Sequence, residues 1–452
     1  MPAMARDDIG GLGVLRAIRR NAFEAFPGRC LEDPIVILKT PFRSVVTATS
    51  PDSIRHIMLD FHQDYVRPPV GKRVLSPIAG NGLIVSEGEA WRNQRRAMAP
   101  AFTPQKVRTL SGLIGEVAER ACSELEARRG QPEDLFAFFQ TVSLDIGATV
   151  MFSTDISAIG AELRRLLTLY VTKIGSPSVS DFLLPTWVPT VSTARRALFR
   201  RNWRRLIEQA IAKRRSGRTM IAREKAPNSK DVAPDLFDLL EQAHGDRPDD
   251  LLADEVSTML VAGHETTALT LFWACVLLAK TPHVQSELAT EAAAFDWARA
   301  PRAASLQMDL TTLPFAKAVI QETLRLYSPA LLTARLARRT HEICGYEVSA
   351  GSMVLIPFWL LHRNPGRWTS SASFDPWRFL KGAAPGRFDY LPFGVGPHAC
   401  IGAQLAITEA TIVLARLLRD NRIAPLQRDM PLPVGRLSTR PSYNPLFHIT
   451  AR

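Results

Sequence analysis

Over most of this 452-residue chain apolar side chains recur every three or four positions, and only short stretches alternate as strands do. The three-to-four spacing predicts helices over residues 91–98, 106–128, 135–151, 161–174 and 194–215, and again over 234–243, 251–280, 283–295 and 312–326. Alternating or β-branched runs predict strands at 35–38 and 44–47, separated by Pro41, and at 346–348 and 353–356. Two stretches, 70–85 and 176–191, interrupt the periodicity with Gly, Pro and Ser. They still carry Leu75, Ile78, Leu83, Phe182, Leu183, Leu184 and Trp187. Apolar loop tips are costly to leave in water, so both stretches read as loops with a role of their own or as segments packed into the core. The pattern as a whole predicts a mainly α protein with small β-sheets.

Length alone would allow two or three domains, but no Gly/Ser/Pro linker or internal repeat divides the chain, and one large domain is expected. The five cysteines, Cys30, Cys122, Cys275, Cys344 and Cys400, are odd in number and scattered, with neither a CxxC pair nor a zinc spacing. That usage fits a reducing compartment, and a cytoplasmic location is expected. Arg6, Asp7, Asp8, Arg16, Arg19 and Arg20 interrupt the N-terminal apolar residues, and the longest apolar run, 267–279, is too short to span a bilayer. The reading is therefore a chain without a transmembrane anchor. Net charge is +12, and ten basic residues from Arg195 to Arg218 fall in one helical stretch. A solvated helix face accounts for them, while peripheral contact with an anionic membrane surface or an acidic partner stays open. No recognition motif accompanies the charge, so nucleic acid is excluded as a partner.

Chemistry concentrates in three places. The first is the run from Phe393 through Gly394, Gly396 and His398 to Cys400 and Gly402, where a cysteine is framed by glycines and followed by helical sequence. Gly396 and Gly402 would allow tight turns and close backbone approach, and a helix starting near Ile401 would favour thiolate over thiol. A thiolate is a soft, electron-donating metal ligand, and this frame points to haem iron. The second is Ala262-Gly263-His264-Glu265-Thr266-Thr267 inside the longest predicted helix, where glycine and threonine invite a local kink that opens space for a ligand or water. The third is the pair Glu322 and Arg325, three residues apart on a helix with apolar neighbours.

Together these motifs resemble the cytochrome P450 superfamily of haem-thiolate monooxygenases, from about Trp91 to the C-terminus. The resemblance implies a single-domain P450 fold over residues 31–452, preceded by an N-terminal segment 1–30 without a membrane anchor. It implies haem b as cofactor, Cys400 as the iron ligand and Phe393 as a cover over the sulfur. Ala262 and Gly263 would make room for dioxygen, Glu265 would relay protons and Thr266 would present the oxygen-facing hydroxyl. Glu322 and Arg325 would lock with Arg378 into a buried network that holds the cysteine loop. Trp91, Arg95, Arg335 and His398 would meet the haem propionates, His398 standing where many members carry arginine and others histidine. By correspondence, a pocket for a small apolar organic substrate would be lined by Leu75, Ile78, Leu83, Leu184, Val261, Ala262, Ala330, Leu331, Leu332 and Leu437.

The implied reaction consumes O2 and electrons. The chain has no GxGxxG after a strand, no flavin domain and no cysteine cluster for an iron–sulfur centre, so a separate ferredoxin or flavodoxin with its reductase is the expected donor. Two rivals remain, a peroxide-driven peroxygenase and a non-catalytic haem sensor or carrier. The Glu265–Thr266 pair weighs against both, since neither needs managed protons.

Overall fold

The computed structural model describes residues 4–7, 9, 11–40, 43–152, 157–175, 181, 188, 190–224, 235–245, 249–297, 307–380 and 385–452. Its helices are α1 (Gly11–Arg20), α2 (Pro51–Arg55), α3 (Pro69–Ala79), α4 (Gly88–Met98), α5 (Pro104–Glu126), α6 (Leu135–Phe152) and α7 (Ser157–Leu169). They continue with α8 (Val191–Glu224), α9 (Leu236–His244), α10 (Asp249–Lys280), α11 (Pro282–Ala294), α12 (Pro314–Leu326), α13 (Phe358–Leu361) and α14 (Ala403–Asp420). Proline opens α2, α3, α5, α11 and α12, where its missing N–H costs nothing and its fixed φ suits the first turn. The start of α12 is further secured by Glu291 of α11, whose carboxylate accepts from the backbone N–H groups of Phe315 and Ala316 at 2.7 and 2.8 Å.

Helix α10 is apolar on nearly every side, and that pattern makes it the axis of the molecule. It packs along α6 and also touches α3, α8, α12 and α14. Helices α6 and α10 both have the length and hydropathy of a membrane span, yet most of each is buried inside the protein. Phe139 of α6 and Leu269, Phe272 and Trp273 of α10 lie at the centre of the largest core cluster.

The strands are β1 (Ile35–Lys39), β2 (Ser44–Ala48), β3 (Tyr65–Val66), β4 (Pro132–Glu133), β5 (Leu332–Ala337), β6 (His341–Ile343), β7 (Tyr346–Val348), β8 (Met353–Pro357), β9 (Asn421–Pro425), β10 (Pro433–Gly435), β11 (Thr439–Pro441) and β12 (Phe447–Ala451). Five of them form one sheet in the order β1-β2-β8-β5-β3, with β2 and β8 parallel and the other pairs antiparallel. A three-stranded sheet β4-β12-β9 and the hairpins β6–β7 and β10–β11 complete the β portion.

Three expectations need comment. The stretch 70–85 is mostly helix: α3 tolerates Pro77 in its last turn and ends at Gly80. The stretch 176–191, with Leu184, lies almost wholly outside the described residues. A division at residue 30 would cut through packing, because Phe23, Phe26 and Cys30 share a buried cluster with Trp359 and Leu360, the Phe23 and Trp359 rings meeting edge to face at 5.0 Å. The basic stretch is also less free than its sequence suggests. Arg196 is buried against Asp181, Arg214 pairs with Asp235 and Asp238, and Arg215 with Glu241 and Asp249.

Candidate active site

The cysteine loop leads into α14 and is fixed from three sides. Leu391 and Val395 bury into the core beneath the five-stranded sheet. The Cys400 amide donates to the Phe393 carbonyl at 2.9 Å and closes the loop on itself. Gly396 has φ +79° and lies against the Met58 carbonyl, so any side chain there would collide with backbone. At Gly402 the protein itself imposes no such demand. Gly402 precedes α14 at φ −88°, where any residue fits, and nothing lies within 4 Å of where a Cβ would stand. The Cys400 side chain is exposed at the end of this loop. Surrounding protein pushes its thiol above its ordinary value, while the Gly402 N–H and the Arg95 charge pull it down.

Beneath the loop the structure brings together Glu322, Arg325 and Arg378. Glu322 and Arg325 are fully buried and joined twice, at 2.7 and 2.8 Å. The Arg378 Nε adds a third bond to the Glu322 carboxylate at 3.1 Å, and the Asp375 amide a fourth at 2.9 Å. The remaining Arg325 donors reach the carbonyls of His362, Ser371 and Ser373 at 2.7 to 2.9 Å. His362 then accepts from the Leu391 amide at 2.8 Å, two residues before Phe393. Burial, with Arg325 beside it, pushes His362 down to about 3, so it remains a neutral acceptor. This chain of bonds runs from a buried residue pair on α12 to the base of the loop.

Above the loop, α4 contributes two side chains from one face. The Trp91 ring lies 3.8 Å from that of His398, and Arg95 donates to the Ala399 carbonyl at 2.8 Å. Arg67, which the sequence did not single out, reaches His398 at 3.3 Å and the Ser86 carbonyl at 2.6 Å. Its signal was faint, a lone arginine before Pro68-Pro69 at the end of a two-residue strand. Arg335 of β5 is buried, bonds to the Thr333 hydroxyl and Ala334 carbonyl, and forms no ion pair among the described residues. Burial first, and then the neighbouring Arg67, bring Arg335 down to about 10. Burial and the guanidinium groups of Arg67 and Arg335 push His398 down to about 3. Like charges gathered in partly buried space repel one another, and a ligand bearing two carboxylates would relieve that. Haem fits this donor set: a thiol on one side and a cluster of arginines at its edge.

Helix α10 carries the second candidate stretch, residues 262–267. It is uninterrupted α-helix from Asp249 to Lys280, without the expected kink as a break in its helical run. What sets the stretch apart is side-chain size instead. Ala262 and Gly263 are exposed while His264 and Glu265 beside them are buried, and nothing lies within 4 Å of a Cβ built on Gly263. The Thr266 hydroxyl donates to the Ala262 carbonyl at 2.6 Å. Glu265 accepts two bonds from Arg440, at 2.7 and 2.8 Å, and one from the Ser438 hydroxyl at 2.8 Å. Thr267 is buried in the helix packing. Sequence reading missed Arg440 and Ser438, because the hairpin that carries them is 173 residues or more away along the chain.

The suggested pocket residues divide. Leu75, Ile78, Leu83 and Val261 belong to or pack on the large helical core. Leu332 opens β5, Ala330 is exposed just before it, and Leu437 is 40% exposed at the hairpin tip. Leu331 turns away, into the buried cluster of Phe23 and Trp359.

The cytochrome P450 family model matches residues 20–445. Cyclooctatin synthase from Streptomyces melanosporofaciens is 32% identical over 416 residues, covering 90% of this chain and 85% of that protein. Protein LUTEIN DEFICIENT 5, chloroplastic, from Arabidopsis thaliana is 30% identical over 85% of this chain, which spans 66% of that relative's length. The crystal structure of cytochrome P450DA heme domain has a TM-score of 0.75 over 98% of this chain and 94% of that one, at 21% identity, and so shares the fold.

Proposed function

The chain belongs to the cytochrome P450 family, and from that premise we propose that it is a haem-thiolate monooxygenase that places one oxygen atom of O2 on a small apolar organic molecule. Haem b, when bound, supplies the iron that activates oxygen. Cys400 would ligate that iron, with Phe393 beside the sulfur. Trp91, Arg67, Arg95, Arg335 and His398 would hold the propionates, and the network of Glu322, Arg325 and Arg378 would keep the loop in register. Ala262 and Gly263 would leave space on the opposite side, where Thr266 and Glu265 handle protons. The observation that carries the reading is the bared stretch Ala262–Gly263 on an otherwise buried helix, followed at once by an acid and a hydroxyl. A peroxygenase or a haem carrier would have little use for that pair.

Electrons would come from a ferredoxin or flavodoxin with its reductase. Arg92 and Arg96, exposed on the helix that supplies Trp91 and Arg95 to the cysteine loop, and exposed Arg108 with Lys106 at the start of the next helix, suit an acidic donor. All five thiols are free, which supports a reducing, cytoplasmic setting. The reduced protein with carbon monoxide should show the long-wavelength band of thiolate-ligated haem, and Cys400→His should lose that band while retaining some haem. Turnover with electrons and O2, set against peroxide alone, separates the monooxygenase from its two rivals. A Cys400→His protein that keeps the band would overturn the assignment of the ligand.

A further inference from the structure

The cysteine loop rests on a short turn that the proposed reaction leaves unused. Residues His56–Asp60 continue α2 as a single turn of π-helix, closed by the Phe61 amide donating to the His56 carbonyl at 2.9 Å. Single π-turns are rare, and they occur frequently at functional sites. Two side chains of the turn, Ile57 and Met58, share a buried cluster with Leu391 and Val395 of the loop. The Met58 carbonyl is the backbone against which Gly396 lies at φ +79°.

Rings hold the start of this turn. The His56 ring lies 4.3 Å from that of Phe61, and its Nε2 stands 3.3 Å from Nδ1 of His341 on β6. The other His341 nitrogen is 3.3 Å from the Asp64 carboxylate, and the rings of Phe61 and Tyr65 lie 5.0 and 5.3 Å from that of His341. A carboxylate beside Nε2 favours the proton on that nitrogen, which leaves Nδ1 to accept from His56. The bond ties the π-turn to the β6–β7 hairpin. A first added proton still leaves one N–H between the rings, but a second sets N–H against N–H and charge against charge. Around the pair, Arg55 faces Asp60 at 3.4 Å and Arg339 faces Asp64 at 3.6 Å. Burial, with Asp64 adding to it, raises the Tyr65 phenol above its ordinary range, so it stays neutral. Burial first, and then His341, hold the His56 imidazole below its ordinary 6.5, against the pull of Asp60. The unfolded chain takes up this proton before the folded one does, so the stabilisation is full above about 6.5 and is lost as pH falls below it.

We propose that His56 and His341, with Asp64 behind them, are positioning residues for the cysteine loop, holding the Met58 carbonyl against Gly396 while the pair carries no more than one proton and releasing it when both rings are charged. This rests on the reading of Cys400 as the haem ligand. It adds a second support for the loop, separate from the Glu322 network and dependent on pH.

The test uses the haem-loaded full chain. His341→Asn keeps an acceptor where Nδ1 stands but takes up no proton, His56→Gln likewise keeps a donor in the place of Nε2, and His341→Leu removes the bond at every pH. Two readouts need no turnover. One is the exchange protection of the Cys400 amide, which closes the loop on Phe393, corrected for the intrinsic rate at each pH, and the other is the rate of haem transfer to apomyoglobin. Between about pH 8 and about pH 5.5 the native protein should lose roughly tenfold in protection and release haem roughly fivefold faster. His341→Leu should show the low-pH values throughout. His341→Asn and His56→Gln should stay within about twofold of the native values at about pH 8 across the whole range. His62, which bonds to the Leu59 carbonyl at 2.9 Å, and His398 are present in every variant, so their titration cancels in the comparison. If His341→Leu keeps native protection and haem release while Cys400→His loses the long-wavelength band, the tie is overturned and the ligand reading stands. A His341→Asn protein that follows the native pH profile assigns that profile to other groups, and one that shows the low-pH values throughout makes the ring merely structural; either result overturns the proposal. If Cys400→His keeps the band, the ligand reading fails and takes the tie with it. Should His341→Leu give no soluble protein, the native pH profile set against those of His341→Asn and His56→Gln decides the matter alone.

Discussion

Arg325 has no exposed surface, and each of its bonds ends on a buried carboxylate or on a carbonyl of the loop that follows α13. Removing it strands Glu322 as an uncompensated buried charge, at a cost of roughly 3–5 kcal/mol. Arg325→Ala should therefore yield little haem-loaded protein and a clearly lower unfolding temperature. Arg378→Ala, which loses one 3.1 Å bond to Glu322 from a partly exposed position, should do so by less. Equal and small effects from both would show that the pair does not hold the cysteine loop. Glu409 of α14 is a second buried residue with a measurable consequence. Burial pushes its carboxyl from 4.5 up to about 8, and the Ser143 hydroxyl opposes this weakly. Between those values the unfolded chain has lost the proton and the folded chain keeps it, so stability is full below about 4.5 and declines as pH rises towards about 8. Glu409→Gln, neutral at every pH, should flatten that decline in a series of denaturant titrations. An equally steep decline in the mutant would assign it to other groups.

At the scale of elements, α10 shows how a helix can be both the core of a molecule and the carrier of a candidate site stretch. Most of its length is apolar and buried, but two small residues leave backbone bare where larger ones would pack. Gly263→Val tests this. A valine Cβ would meet nothing within 4 Å, and valine is a slightly better helix former than glycine, by a few tenths of a kcal/mol. The unfolding temperature of the haem-free chain should hold or rise slightly, while the affinity of the reduced haem protein for carbon monoxide should fall by at least about tenfold as the branched side chain occupies ligand space. Unchanged carbon monoxide binding would place Gly263 away from the ligand side. Elsewhere local sequence was a weaker guide. The stretch 70–85 looked like a loop because of its glycines and Pro77, yet Pro69 starts a helix whose apolar face, Val74 and Ile78, is held in the core. Packing on α10 outweighs the cost of a proline near the end of the helix.

For the molecule as a whole, the +12 charge is largely arginine, and much of that charge is already spent in ion pairs within the protein. Arg92 and Arg96 are exposed on α4, the helix whose other face touches the cysteine loop, so they sit where an electron donor would approach. Reversing both to glutamate should slow reduction by an acidic ferredoxin and weaken its dependence on salt, leaving ligand-induced spectra unchanged. Donor kinetics indifferent to salt and to the reversal would remove this face from the encounter. The cysteine frame, the acid–hydroxyl run and the Glu322–Arg325 spacing were all legible in the chain, because each is a local arrangement whose chemistry depends on residues a few positions apart. Helix content was legible for the same reason, periodicity being a local signal. Arg67 beside His398, His362 between Arg325 and Leu391, and Arg440 with Ser438 on Glu265 were not. Those contacts join positions 29 to 331 residues apart, and no spacing rule links them. The sequence by itself determined which groups are the candidates for the chemistry. The tertiary structure alone decided what holds them, because a hydrogen bond between distant segments exists only once the core has brought their backbones within 3 Å or so of each other.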